Sequence, residues 1–392
     1  MQAAALPGAG RCGIKPDMKL SFNRKRFGLF GLFILFFSPL QTASAQPRPP
    51  SLYEVWVTNQ ATDSVRIYNG ANLALKTEIF VDDDGTPATS KPHTISFSPD
   101  GRYAYVANVG DRTKKNNVVV IDTAARKIVA RIPAGPGAHM VVSSPDGTRA
   151  FVANAGGDSL LEIRTDLHKG RFTPGRSFKI QRTGGGKSHP VCLAFSADGS
   201  KLYVTNAGDP KADPSKAGFL AVLEASSGRE LSRIENLSNE SCGLELTRDG
   251  GKLYFTMGGS SDQFVLLDTA TDKIVRQAST GGKDPHGLGI NPGGFLVWIT
   301  NRLSDSVTVL STTTGMHFKS YFNIGDKPDL LAFSPDGSRI FITLRGDPTT
   351  PIPGGSGGKL PGIVVLSVDT GEILSKVPID GDPHGIAVHS LQ

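Results

Sequence analysis

"PHTISFSPDGRYAYVAN" fills residues 92–108, and its order of residue types decides the fold. A short apolar stretch runs into Ser-Pro-Asp-Gly, whose residues suit a tight reversal. An alternating, β-branched and aromatic stretch then ends in Asn108, as a second strand would. The pattern returns as "AHMVVSSPDGTRAFVAN" (138–154), "PVCLAFSADGSKLYVTN" (190–206), "SCGLELTRDGGKLYFTM" (241–257), "PHGLGINPGGFLVWITN" (285–301) and "PDLLAFSPDGSRIFITL" (328–344). A seventh copy is split. Its second half, "YEVWVTN", stands at 53–59, and its first half, "PHGIAVHS", stands at 383–390.

After each second strand a polar loop leads to a third strand, at Val65–Tyr68, Val118–Ile121, Leu160–Ile163, Phe219–Leu223, Phe264–Leu267, Val307–Leu310 and Ile363–Leu366. A fourth strand follows, as at Lys127–Ile132. No sustained 3.6-residue apolar period exists outside the N-terminal leader, so no substantial helix is expected. Four short strands recurring every 43 to 52 residues are the mark of propeller blades. The chain is therefore expected to be all-β: a seven-bladed β-propeller of four-stranded blades, closed by pairing of its C-terminal strand with the N-terminal blade. That closure would leave no open sheet edge in the ring.

The motifs "SPDGRYAYVAN", "SADGSKLYVTN" and "SLYEVWVTN" resemble the YVTN family of β-propeller repeat proteins, and the units cover nearly all of residues 51–392. Five of the seven second strands end in Asn (Asn59, Asn108, Asn154, Asn206 and Asn301), while Met257 and Leu344 depart from the pattern. The resemblance implies an exported propeller related to lactonase-like propellers. It speaks for the blade rather than for a reaction.

Arg24-Lys25-Arg26, the apolar run Phe27–Phe37 and Ala43-Ser44-Ala45 have the order of a secretory signal peptide. Residues 1–45 are read as that leader, with Met18 as a candidate true start, 46–52 as a short linker and 53–392 as one propeller. Export to the periplasm or beyond is the expected localisation, with no transmembrane segment after cleavage and a monomeric product. The leader holds six of the 42 basic residues and one of the 36 acids, leaving 36 against 35. The basic character of the whole chain is thus mostly the leader's, and bulk charge gives no support for a nucleic-acid partner.

Innermost strands line a propeller's channel, so one repeat position forms a ring around its mouth. The residue eight before each turn glycine is His93, His139, Val191, Cys242, His286 and Asp329, with His384 at the matching place in the C-terminal strand. Six of these seven residues can ligate metals or move protons. His93, His139, Cys242, His286, Asp329 and His384 are the candidate ligand-binding set. Only neighbours could share one ion, which selects His93, His139 and His384 as a candidate site for a transition metal at the channel mouth. A strand-capping role copied with each blade accounts for the same residues without a ligand.

Lys91, Lys187, Lys283 and Lys327 alternate with Asp284, Asp326 and Asp382 just before the ring, a rim of mixed charge. Insertions at 207–218 and 345–362 are candidate specificity loops. "GGSGG" (354–358), "GGGKS" (184–188) and "DDDG" (82–85) lack the context of a nucleophile elbow, a phosphate loop and a calcium loop. Cys192 and Cys242, offset by one residue in their repeats, are expected to face opposite sides of their sheets. The leading functional expectation is a module that binds a small molecule or a periplasmic protein at the mouth. The alternative is a metal-dependent, lactonase-like hydrolase or a redox enzyme built on the same ring.

Overall fold

A computed structural model describes residues 52–82, 88–208, 217–259, 261–346 and 361–391. The leader and nearly all of the linker lie outside them. So do most of both insertions, the "GGSGG" stretch and the last three residues of "DDDG". Among the described residues there are twenty-eight strands and no helix.

The strands form seven four-stranded antiparallel sheets, and in six of them the strands follow chain order outward from the channel. The seventh sheet is composite. Its innermost strand, Pro383–Ser390, pairs with Tyr53–Asn59 in the register Tyr53↔Ser390 and Val57↔Ile386, which closes the ring as the split repeat requires. The blades follow one another around the channel, each inner strand packing on the next, and Pro383–Ser390 lies between Pro328–Phe333 and Pro92–Phe97.

Burial falls from the inside outward. Second strands such as Tyr103–Asn108 are buried at every residue, because neighbouring blades cover both faces. Outermost strands face water, and Val275, Phe318 and Phe322 are exposed there. The core is accordingly a set of apolar layers between blades. At the closure, Val55, Val57 and Ile386 pack with Phe341, Ile363 and Val365 of the preceding blade.

The reversals between first and second strands, Pro-Asp-Gly in three of six, take the expected form. Their glycines (Gly101, Gly147, Gly199, Gly250, Gly294 and Gly337) adopt φ between 68° and 78°, where a side chain would be strained. In the first of these turns Asp100 accepts hydrogen bonds from the Ser98 hydroxyl (2.6 Å) and the Arg102 amide (3.1 Å).

One feature of the inner strands positions the site. Every one of them carries a bulge at the ring position. His93, His139 and Val191 are single extra residues in their ladders. Cys242-Gly243, His286-Gly287, Asp329-Leu330 and His384-Gly385 are pairs facing one residue of the second strand. A bulge bends its strand and re-aims a side chain.

Candidate functional site at the channel mouth

The threonine of the second strand holds these bulges. Thr58, Thr300 and Thr343 accept the backbone amides of Gly385 (2.7 Å), Gly287 (2.9 Å) and Leu330 (3.1 Å) in their own blades. The same hydroxyls donate to the carbonyls of the next ring residues, His93 (3.1 Å), Asp329 (2.5 Å) and His384 (2.8 Å). Thr256 likewise donates to the His286 carbonyl (2.9 Å). Where alanine replaces this threonine, at Ala107, Thr94 reaches the His139 carbonyl (3.0 Å) instead. Inner strands are packed so closely that a Cβ on Gly287 would meet the Asp329 carbonyl oxygen at 2.1 Å.

With their backbones held, the ring side chains divide into two groups. His139 donates Nδ1–H to the Val191 carbonyl (3.0 Å), because a carbonyl can only accept. Its Nε2 in the neutral ring is then an acceptor, and His93 Nε2 lies 2.7 Å away as the donor. His93 Nδ1 in turn accepts from the Gln60 amide at 2.8 Å. All four ring nitrogens of this pair are used in one consistent set of tautomers. Val191, the gap in the ring, contributes through its backbone. Burial holds His139 down to about 3 and His93 well below the usual imidazole value, so both rings are neutral at pH 7.

The second group is His286, Asp329 and His384. Their ligating atoms all lie within 4.8 Å of one another, and no other described trio of His, Cys, Asp or Glu does so. This trio differs from the expected one and shares only His384 with it. His93 and His139 spend their Nε2 atoms on each other. His286 Nε2 is 3.3 Å from Asp329 Oδ1, and His384 Nε2 is 3.1 Å from Asp329 Oδ2. Neither contact has hydrogen-bond geometry, and both carboxylate oxygens of the fully buried Asp329 are without a hydrogen-bond partner. Burial pushes the Asp329 carboxyl up to about 6 and holds His286 and His384 well below the ordinary value.

Arginines that the repeat pattern did not single out stand over this group. Arg345 pairs with Asp382 through Nε (2.8 Å) and Nη2 (2.5 Å), with its Nε 3.7 Å from Asp329 Oδ2. Arg302 pairs with Asp284 (2.7 Å) and Glu240 (2.9 Å). Arg112, Arg302 and Arg345 line a cavity of about 210 Å³ together with His93, His139, His286 and His384. Arg302 and Arg345 each follow the last residue of a second strand, a position that could have been read from the alignment of repeats. Asp284 and Asp382 of the charged rim are thus partners of these arginines.

Below the mouth the channel changes character. A cavity of about 480 Å³ is walled by Met140, Leu193, Leu244, Leu288, Leu331 and Ile386, with Glu245 among them. Burial pushes the Glu245 carboxyl up to about 7, and its recorded partner is the Ile290 amide at 3.2 Å. Cys192 and Cys242 both line this cavity as free thiols, and contact with Cys242, with burial, raises the Cys192 thiol well above its usual value. They belong to the inner strands of neighbouring blades, Cys192 just after the bulge of its strand and Cys242 within the bulge of its own.

Fold and site together define a seven-bladed propeller with a polar, histidine-rich mouth above an apolar channel. The chain belongs to the family described as "Lactonase, 7-bladed beta-propeller", whose profile matches residues 110–317, more than half of its length. No curated sequence matches it significantly. Among solved structures it is similar to the periplasmic gluconolactonase of Pseudomonas aeruginosa, with 17% identity, a TM-score of 0.67, and 87% of this chain and 100% of that one covered. It is also similar to a putative 6-phosphogluconolactonase from Bacteroides uniformis (15%, 0.63, 87% and 100%) and to hydrazine synthase of Kuenenia stuttgartiensis (16%, 0.60, 88% and 100%). At such identities these likenesses speak for the fold alone.

Proposed function

We propose that this protein is a hydrolase of small polar lactones acting at the channel mouth, on the group formed by His286, Asp329 and His384. The observation that carries the reading is the convergence of two imidazole Nε2 atoms on a buried carboxylate that has no hydrogen bond, with Arg345 beside it. Family membership and the gluconolactonase named among the neighbours favour a lactone over other esters. The comparisons thus favour the enzymatic alternative over a binding module.

The chemistry follows from the donors. His384 gives its Nδ1–H to the His93 carbonyl (3.0 Å), which leaves the Nε2 lone pair beside Asp329 as a base for water. Water adds to the lactone carbonyl, the ring C–O bond breaks, and the alkoxide takes up the proton to give a hydroxy acid. Arg345 and Arg302, held by Asp382, Asp284 and Glu240, supply fixed positive charge to the developing oxyanion. The 210 Å³ cavity is smaller than those that hold drug-sized ligands and suits a single ring. A metal would find its donors in the same three residues and would polarise the carbonyl or acidify water.

The test is purified protein with glucono-δ-lactone and its 6-phosphate in a pH-stat, corrected for spontaneous hydrolysis. Catalysis above background that disappears in His384→Ala is expected. Background rates with every lactone tried would end the hydrolase reading and return the site to ligand binding. The basic, apolar and small-residue order of residues 24–45 supports the proposal that the mature protein works in the periplasm. Cell fractionation checks it. Among the described residues no helix is long and apolar enough to cross a membrane.

A further inference from the structure

The geometry points to a binding site for one divalent first-row transition ion, zinc or a near relative, made by His286 Nε2, the Asp329 carboxylate and His384 Nε2. The inference shares its location with the hydrolase reading and does not depend on hydrolysis.

Tautomers carry the argument. Because His384 Nδ1 gives its hydrogen to the His93 carbonyl, a neutral ring turns its Nε2 lone pair toward Asp329 Oδ2, 3.1 Å away. Two lone pairs facing each other in a buried place repel unless positive charge lies beside them. A proton on Nε2 would supply that charge by donating to the oxygen, but the contact lacks hydrogen-bond geometry. The atoms converge on a shared space rather than on one another.

Arg345 is the other available cation, with its Nε 3.7 Å from Oδ2, yet Asp382 holds its guanidinium through two bonds. Around the mouth, Asp382 engages Arg345, and Asp284 and Glu240 engage Arg302, while the Asp329 oxygens have no hydrogen bond.

The donor set and its support suit a metal. Two imidazoles and a carboxylate without thiolate are typical of catalytic zinc and non-haem iron sites with open positions. A hydrogen bond from the far ring nitrogen to a backbone carbonyl orients a metal-binding histidine, and His384 has one. The carbonyls of all three residues are fixed by Thr256, Thr300 and Thr343, so the site is pre-formed.

The experiment uses full-length mature protein stripped with a chelator, titrated with Zn²⁺ by calorimetry and with Co²⁺ by visible absorption. One equivalent per chain is expected, with d–d bands from Co²⁺ and a rise in Tm on adding zinc. Asp329→Asn and His384→Ala should each weaken binding by more than about 100-fold, beyond the cost of losing an outer partner of a ligand. His317→Gln, at an exposed histidine, should bind as the wild type does. Asn is close in shape to Asp, and a cooperative melt of Asp329→Asn shows that weaker binding is not unfolding. No stoichiometric uptake, or uptake that survives both substitutions unchanged, would overturn the inference. So would ¹⁵N NMR showing a proton on His384 Nε2 at pH 7 that zinc does not displace. Metal binding without lactone turnover would remove the hydrolase reading and leave the metal site. Turnover in protein that takes up no metal would do the reverse.

Discussion

Two arcs of one ring, built from the same repeat position, end in opposite states. In the arc of His93, His139 and Val191 every side-chain nitrogen has a partner, and the chain of hydrogen bonds ends on a backbone carbonyl. In the arc of His286, Asp329 and His384 three donors meet without satisfying one another. Repetition therefore explains why polar residues recur at the position, and it does not explain what they do. A residue that completes a network behaves as structure. One that is held in place and left unsatisfied is poised for a ligand.

The comparison can be broken most severely at its joint. His384 sits between the arcs and belongs to the strand Pro383–Ser390, so deleting residues 383–391 removes the innermost strand of a blade along with one ligand. We expect the loss of any cooperative melt by calorimetry. A wild-type Tm would show that closure is not what holds the ring.

Next in size is the contrast in turnover. Asp329→Asn and His384→Ala should lower the lactone rate by about 10²–10⁴-fold, the range for a positioned acid or base. His139→Gln should instead act on stability, by about 1–3 kcal/mol, since it unpairs buried partners. Thermal melts beside initial rates separate the two arcs. Equal rate losses would erase the distinction.

The arcs also differ in the sign of their pH dependence in metal-free protein. Asp329 has a folded value of about 6 against the ordinary 3.8, so between those values the folded chain holds a proton that the unfolded chain has released. Its contribution to stability is present at low pH and is lost as pH rises from about 4 to about 6. Asp329→Asn should therefore gain on the wild type across that window, by on the order of 2 kcal/mol, and keep the gain above it. His139, held near 3 against 6.5, behaves oppositely, and its contribution is lost as pH falls from about 6.5 toward 3. Denaturant melts at pH 4, 5, 6 and 7 measure both slopes. Zinc should reverse the order at neutral pH by stabilising only the wild type.

The smallest effect concerns support. Thr343→Val removes the hydroxyl that donates to the His384 carbonyl and accepts the Leu330 amide. A loss of about 1 kcal/mol in a denaturant melt is expected, with a lower affinity for the lactone or the metal. No loss would mean that the bulges hold themselves.

Much of this was readable before any coordinates. The blade count, the closure and the ring position are legible because a repeat states the same sentence seven times, and the departures then stand out. The division of the ring is not legible, because it turns on which nitrogen of each imidazole carries the proton. That in turn depends on carbonyls such as those of Val191 and His93, which belong to neighbouring blades. Arg302 and Arg345 share one repeat position, the residue after a second strand, but the sequence does not show that this position lines the mouth.

The closing strand also sets an order in time. Synthesis runs from the N-terminus, so His93, His139, His286 and Asp329 leave the ribosome before His384, whose Nδ1 bonds to a carbonyl 291 positions upstream. The mouth can be completed only after Pro383–Ser390 has been made. A polypeptide interrupted before that strand could assemble blades, but it would carry neither the closed ring nor a finished site.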